Sequence, residues 1–242
     1  MAAVPWHIIE DQEDTFLQRP DRVCRPGARG IFVTPVEANF TRVHCVVLGP
    51  AQTPFEKGFW HVLVKFPADY PSSPPRLLNL TTDAGNVCLH PRLPGSGRVD
   101  LKILKTSGQD GAWSPPKTPK DVLCALRYEL TKTESSRHGT REQRRLFDTI
   151  RHETVRVAVC GNMEAWLGNA PNIPQQLRVR VCAAFFAHHE WYVTKMQKNV
   201  HLDGQKMSTS LGDIGNFHHE LLVQQLQNFL QVEIDFDELD NE

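Results

Sequence analysis

Apolar and polar residues alternate over two early stretches of the chain. In TRVHCVVLG (41–49), Val43, Cys45 and Val47 share one side; in FWHVLVKF (59–66), Trp60, Val62, Val64 and Phe66 oppose Phe59, His61, Leu63 and Lys65. A period of two is that of a half-buried strand. GIFVTPV (30–36) is rich in β formers, and GPAQTPFEKG (49–58) is rich in turn formers. Together they predict an antiparallel meander with one half-buried face. PADYPSSPPRLLNL (67–80) is a proline-dense bend entering a further short strand. Prolines fix φ and remove amide donors, so this piece belongs at a rigid edge or loop. Residues 81 to 117 show little periodicity, and a connection that long inside a compact domain is often functional.

The period changes at Thr118. Thr118 is placed to cap, Pro119 suits the first helical position, and Asp121 completes a T-x-x-D box. Val122, Leu126 and Leu130 then fall on one face with Leu123 beside them. SSRHGTREQRR (135–145) reads as a polar break. RLFDTIRHETVRVAV (145–159) and QQLRVRVCAAFFAHHEWYVTKMQ (175–197) read as two longer helices separated by GNAPNIP, and FHHELLVQQLQNFL (217–230) as a last one. Strands first and helices afterwards indicate an α+β domain with helical additions. The expected organisation is an irregular N-terminal segment over 1–29, a core over 30–135, a helical extension over 136–232 and an acidic tail over 233–242.

Composition alters this picture little. A length of 242 residues suffices for one substantial core, and a net charge of −1 gives no general attraction to nucleic acid or anionic membrane. The first residues, MAAVPWHIIEDQED, have neither a basic nor a long apolar region of the kind a secretory signal needs, and no apolar run approaches a membrane span. The expected location is therefore the cytoplasm, the nucleus or both. Six cysteines (Cys24, Cys45, Cys88, Cys124, Cys160, Cys182) are widely spaced without a C-x-x-C pair, which suits reduced, mostly buried thiols.

Several apparent motifs carry little. His188-His189 and His218-His219 are adjacent pairs, whose side chains diverge by about 100° on a helix. No cysteine supports them as metal ligands, so no metal and no cofactor is expected. Arg141, Arg144 and Arg145 lack interleaved aromatics and suit a solvated face better than a nucleic-acid site. No phosphate-binding glycine loop is present.

The informative region runs from Phe59 to Leu130. It carries YPSSPP, then His90-Pro91-Arg92, then GRVDLKIL (97–104), then WSPP (113–116), then the capped helix. This ordered series resembles the ubiquitin-conjugating enzymes, whose pattern is a meander, Y-P-x-x-P-P, His-Pro-Asn, G-x-[VI]-C-L-x-I-L, W-S-P and a helix. TTDAGNVCL (81–89), the widened gap before the tryptophan, RHETVRVAVC (151–160) and HLDGQKM (201–207) resemble the Z-type class in particular. The resemblance implies a UBC-like fold: a four-stranded antiparallel meander with flanking helices and, for the Z type, a C-terminal helical extension. It also implies a place in the transfer of ubiquitin or a ubiquitin-like modifier, with an activating enzyme, a ligase or a conjugating protein as partner. The family's ligase-facing loops correspond to Thr53, Pro54, Phe55 and to Trp113, Ser114, Pro115; packing is the competing role for Trp113.

At the nucleophile the chain departs from the family. Asp100 falls where the family has its cysteine, eight residues after Arg92 and thirteen before Trp113. The competing register makes Cys88 the nucleophile. It leaves twenty-five residues to Trp113, has no His-Pro-x upstream, and ignores the echo of Val99, Leu101, Ile103 and Leu104. Transfer between thioesters needs a thiolate that is both a strong nucleophile and a competent leaving group. A carboxylate at Asp100 is neither, and Arg92 stands where the family's Asn is thought to steady the developing oxyanion. Two expectations for this pair stand side by side: an ion pair across the old groove, or two separately solvated charges. The family's basic first helix, which helps to dock the activating enzyme, corresponds to DTFLQRPDRVCRPGAR (14–29), where Pro20 interrupts a helix and Arg19, Arg22 and Arg25 retain positive charge. The expected function is therefore a catalytically inactive relative that acts by binding; the alternative is an active enzyme using Cys88 or another cysteine.

Overall fold

A computed structural model describes residues 30–36, 39–86, 88–106, 113–114, 117–132, 139–168, 173–209 and 212–231. The expectations for 1–29, Cys24, Pro115 and the tail after Gln231 fall outside these residues. Four strands, β1 (Ile31–Val36), β2 (Asn39–Leu48), β3 (Phe59–Lys65) and β4 (Arg76–Asn79), form one antiparallel sheet in the order β1-β2-β3-β4. Register follows the alternation: Cys45 faces Val62, Val47 faces Trp60 and Val64 faces Leu77. The proline-dense bend leads into β4 at the sheet edge, as expected.

One face of the sheet packs on α1 (Pro119–Thr131). Val43, Cys45, Val47, Trp60, Val62, Val64 and Leu77 meet Val122, Leu123, Leu126 and Leu130 in a single buried cluster. Burying four such helix side chains is worth about 1.5–3 kcal/mol each. Helix α1 begins as its sequence predicts, with a complete capping box in which Thr118 and Asp121 exchange side-chain-to-backbone hydrogen bonds.

The opposite face was expected to meet solvent, and it does not. Val46, Leu48 and Phe59 are buried against the C-terminal helices, together with Trp166, Phe185 and Tyr192. His44 and His61, on that same face, share a 2.8 Å Nδ1···Nε2 hydrogen bond, and the Trp166 ring meets His61 edge-on. The alternation was read correctly as strand. It could not show that polar-looking positions 44 and 61 would be covered from 100 residues away.

Helix α2 (Arg141–Glu153), whose Ile150 joins the α1-side cluster, leads into the covering layer, which comprises a π-helical stretch (Thr154–Gly161), α3 (Asn162–Leu167) and α4 (Gln175–Gln197). Helix α2 starts before the expected Arg145, inside the supposed polar break, because Thr140 and Gln143 form a second capping box. In the π-helical stretch Val155, Val157, Ala158, Val159 and Cys160 are all buried, and Val155, Val159 and Cys160 share a cluster with Val46 and Phe59 of the sheet and Phe185 of α4. A hairpin, β5 (Lys206–Thr209) with β6 (Gly212–Asn216), precedes α5 (His219–Asn228) and was not anticipated. Gly212 and Gly215 adopt φ of +119° and +124°, a region that favours glycine, and this was its one sequence signal.

Candidate active-site groove

The segment before Asp100 runs beside β4. Val99 donates its amide to Leu77 O, Asn79 donates to Gly97 O, and Arg98 bridges Leu78. This strand-like pairing forces alternation: Val99 and Leu101 enter the core while Asp100, between them, points out to the rim. Gly97 turns the chain into this pairing with φ +79°. The outward position of Asp100 is thus fixed by the burial of its neighbours.

His90-Pro91-Arg92 forms a tight turn opposite. The Leu93 amide donates to His90 O at 2.9 Å, and the Arg92 amide donates to His90 Nδ1 at 3.1 Å. His90 is buried, edge-on to Phe55, with a further hydrogen bond to the Glu129 backbone. Burial holds its pKa below the ordinary value despite the nearby Glu129 carboxylate. A neutral imidazole suits this geometry, since Nδ1 must accept while the other nitrogen donates. Pro91 is exposed at the corner.

Arg92 Nη1 lies 3.2 Å from Asp100 Oδ2, with 33% and 58% of the two side chains exposed. Arg92 Nε is also 4.0 Å from Glu129 on α1, and Glu129 pairs with Lys132 at 2.6 Å. Of the two expectations for this pair, the geometry is that of the ion pair. Glu129 has no sequence signal linking it to Arg92, because nothing along the chain connects the third residue from the end of α1 to a turn some 40 positions earlier; only the fold brings them together. At such exposure the pair adds about 0.5 kcal/mol.

Among the described thiols, Cys88 borders the tripeptide turn. Cys88 is half-buried and its Sγ lies 3.6 Å from His90 O. Cys160 and Cys182 are buried, their pKa values pushed up by desolvation to about 12 and about 11. Cys45 is shifted higher still for the same reason. A thiol so protonated is a poor nucleophile near neutral pH.

The two loops expected to face a ligase are packed inward. Thr53 is buried, donating to Pro50 O at 2.7 Å and accepting from the Phe55 amide at 3.2 Å. Pro54 is buried, and Phe55 is fully so, between the Trp60 and His90 rings. Gly49 permits this closeness, since a Cβ there would lie 1.7 Å from Phe55 O. Trp113 is buried too, donating from Nε1 to Pro71 O at 2.8 Å. Ser114 alone of the described residues in this set is half-exposed. The side chains of Thr53, Pro54, Phe55 and Trp113 thus build the loops, and Ser114 is the described member of the set that reaches the surface.

A second polar constellation ties the connection after β4 to the extension. Glu153, 2% exposed, accepts from Arg156 Nε and Nη2 at 2.6–3.0 Å and pairs with His152 Nδ1 at 2.9 Å. Burial would raise the Glu153 pKa, but the His152 and Arg156 hydrogen bonds outweigh it and hold the carboxylate below its ordinary range. Arg156 also reaches Asp83 at 2.8 Å. These contacts frame a cleft of about 420 Å³ between residues 80–84 and α3. Neither adjacent His pair joins a group that could hold a metal; among the described residues no such group of three ligands occurs.

The sheet order, the α1 cap and the tripeptide turn beside a β4-paired segment define a ubiquitin-conjugating domain. The sequence profile of the family described as ubiquitin-conjugating enzyme matches residues 20–155, more than half the chain, and the chain belongs to that family. Within it the kinship is to the Z type. The chain is 34% identical to ubiquitin-conjugating enzyme E2 Z of Homo sapiens over 81% of its own length and 56% of the relative's. It is 33% identical to that of Xenopus tropicalis over 84% of itself and 66% of the relative. Similarity to E2 N of Macaca fascicularis, 30% identical, stops at 54% of this chain and 74% of that one. The longer match to E2 Z takes in the helical extension as well as the shared domain. The chain thus spans little more than half the length of the human relative.

Proposed function

We propose that this Z-type member of the family acts in ubiquitin conjugation by binding rather than by thioester transfer. Its partner would be ubiquitin, a ubiquitin-like modifier, or a ligase or conjugating protein. In this reading residues 30–135 are the modifier-facing core and 136–232 a helical extension that braces it. The observation that carries the reading is the Arg92–Asp100 ion pair, with a carboxylate at the place of the family's nucleophile. Acylating a carboxylate would give a mixed anhydride open to hydrolysis, not a thioester ready for transfer. Arg92 retains hydrogen-bond donors, but its fork reaches farther than an amide and is engaged by Asp100.

The test is a charging assay with activating enzyme, ATP and ubiquitin, scored as a reductant-sensitive adduct. The native chain is expected to form none. Asp100→Cys should charge partly, and Asp100→Cys with Arg92→Asn should charge further, because removing the guanidinium frees the thiolate from its ion-pair partner. An adduct on the native chain that disappears in Cys88→Ala would replace this reading with the alternative of an active enzyme. Cys88 is the thiol to test, because of the two half-buried thiols, Cys88 and Cys124, it is the one bordering His90 of the tripeptide turn.

A further inference from the structure

Helix α4 carries a cationic stripe on one flank. His188, Trp191, Lys195 and Lys198 recur at intervals of three and four, which places them on one side of a helix, over a length of about 15 Å. The loop between β2 and β3 adds Lys57 to the same flank. Lys57 Nζ lies 4.7 Å from the centroid of the Trp191 ring, and Lys195 Nζ lies 5.4 Å from it. Lys57 Nζ also donates to His188 Nδ1 at 3.2 Å. Trp191, Lys57, Lys195 and His188 are half-buried, and Lys198 is exposed.

The placement of Lys57 is built. Its φ is +60°, a conformation that costs a non-glycine residue about 1 kcal/mol. Its amide donates to Gly49 O at 3.1 Å, and its carbonyl accepts from the buried Tyr192 hydroxyl at 2.7 Å. The backbone is thus clamped in a strained form that delivers a second ammonium to an indole already serving Lys195. Among the described residues neither lysine has a carboxylate within ion-pair distance. Glu56, next to Lys57, and Glu190, next to Trp191, are the acidic neighbours along the chain. Burial and the charge of Lys195 both lower the Lys57 pKa, while Glu56 raises it. Two like charges held together at a fixed site are a cost that an incoming anion would relieve.

We infer that the Lys57–Trp191–Lys195 stripe docks an acidic segment of a partner protein, with one carboxylate for each ammonium and the indole edge against the segment's backbone. This inference is independent of the chemistry at Asp100, because its residues lie on the loop before β3 and on α4.

The probe is octaglutamate titrated into the full chain labelled with ¹⁵N at tryptophan, with the Trp191 indole signal assigned by its loss in Trp191→Phe. Octaglutamate is expected to shift the Trp191 signal ahead of the other indoles. Raising salt from 0.05 to 0.5 M should weaken the binding by roughly tenfold, as screening of exposed charges requires. Lys57→Gln with Lys195→Gln should abolish the Trp191 shift while leaving the other indole signals in place, which shows the fold intact. Arg144→Gln should leave it unchanged. The inference fails if octalysine gives the same shift, or if the double variant still responds as the native chain does. Carbodiimide cross-links from Lys57 or Lys195 to residues 232–242 in the free monomer would also overturn it, giving the site to the chain's own acidic end; the Lys132–Glu129 pair serves as the positive control.

Discussion

The groove rim and the layer under the helical extension use charge in opposite ways. At the rim, Arg92 and Asp100 face solvent, so a change there is expected to cost folding little. Under the extension, Glu153, His152, His44 and His61 are 8% exposed or less, each held by a specific partner. The contrast teaches why a conjugating fold can carry a carboxylate at position 100 and stay folded. Position 100 is an outward site beside β4 that the core does not use, whereas stability resides where sheet and extension meet.

Four measurements would break or sharpen this contrast. The largest effect is expected from Trp166→Ala, which empties the space between Phe59, His61 and the extension. It should cost about 4 kcal/mol in urea unfolding; a loss under 1 kcal/mol would mean the extension braces nothing. Glu153→Gln should cost about 3 kcal/mol, since it strips a buried charge partner from His152 and Arg156. An equal loss from Asp100→Asn would erase the distinction between the two regions.

The His44–His61 pair sharpens the contrast through pH. Burial lowers both pKa values, that of His61 to about 3 with His44 adding to the effect. The folded pair stays neutral while the unfolded chain takes up protons near pH 6.5. The His61 contribution is therefore complete above about pH 6.5 and is lost as pH falls toward 3, at up to about 1.4 kcal/mol per pH unit, and His44 adds in the same direction. Unfolding free energies measured from pH 7.5 to 4 should fall accordingly, and His44→Leu with His61→Leu should flatten that slope. A slope unchanged in the double variant would place the acid sensitivity elsewhere. The smallest effect is expected from Asp100→Asn, within about 0.5 kcal/mol by thermal or urea unfolding.

The legible parts of this protein were those set by neighbours in the chain. Thr118, Pro119 and Asp121 specify a helix start within four residues, and the alternation in 41–49 and 59–66 specifies strands, because capping and pleating are local. Asp100 was legible for the same reason. Val99 and Leu101 on either side of it enter the core, so the period of two puts it outside wherever the segment pairs. The second face of the sheet was not legible: Val46, His44 and His61 read as a half-exposed side until Trp166 and the helices around it close over them. Nor was the inward packing of Thr53, Pro54 and Phe55 legible, since turn-forming composition does not say which side of a loop is filled.

By itself, then, the sequence determined the four-stranded meander, the α1 cap and an outward carboxylate at position 100. The tertiary structure decided that Arg92 reaches Asp100 and Glu129, that both faces of the sheet are buried, and that Lys57 meets Trp191 and Lys195. The division has one physical cause. Dihedral preference and side-chain period act over a few residues, whereas burial and ion pairing depend on distances in space that only chain closure sets.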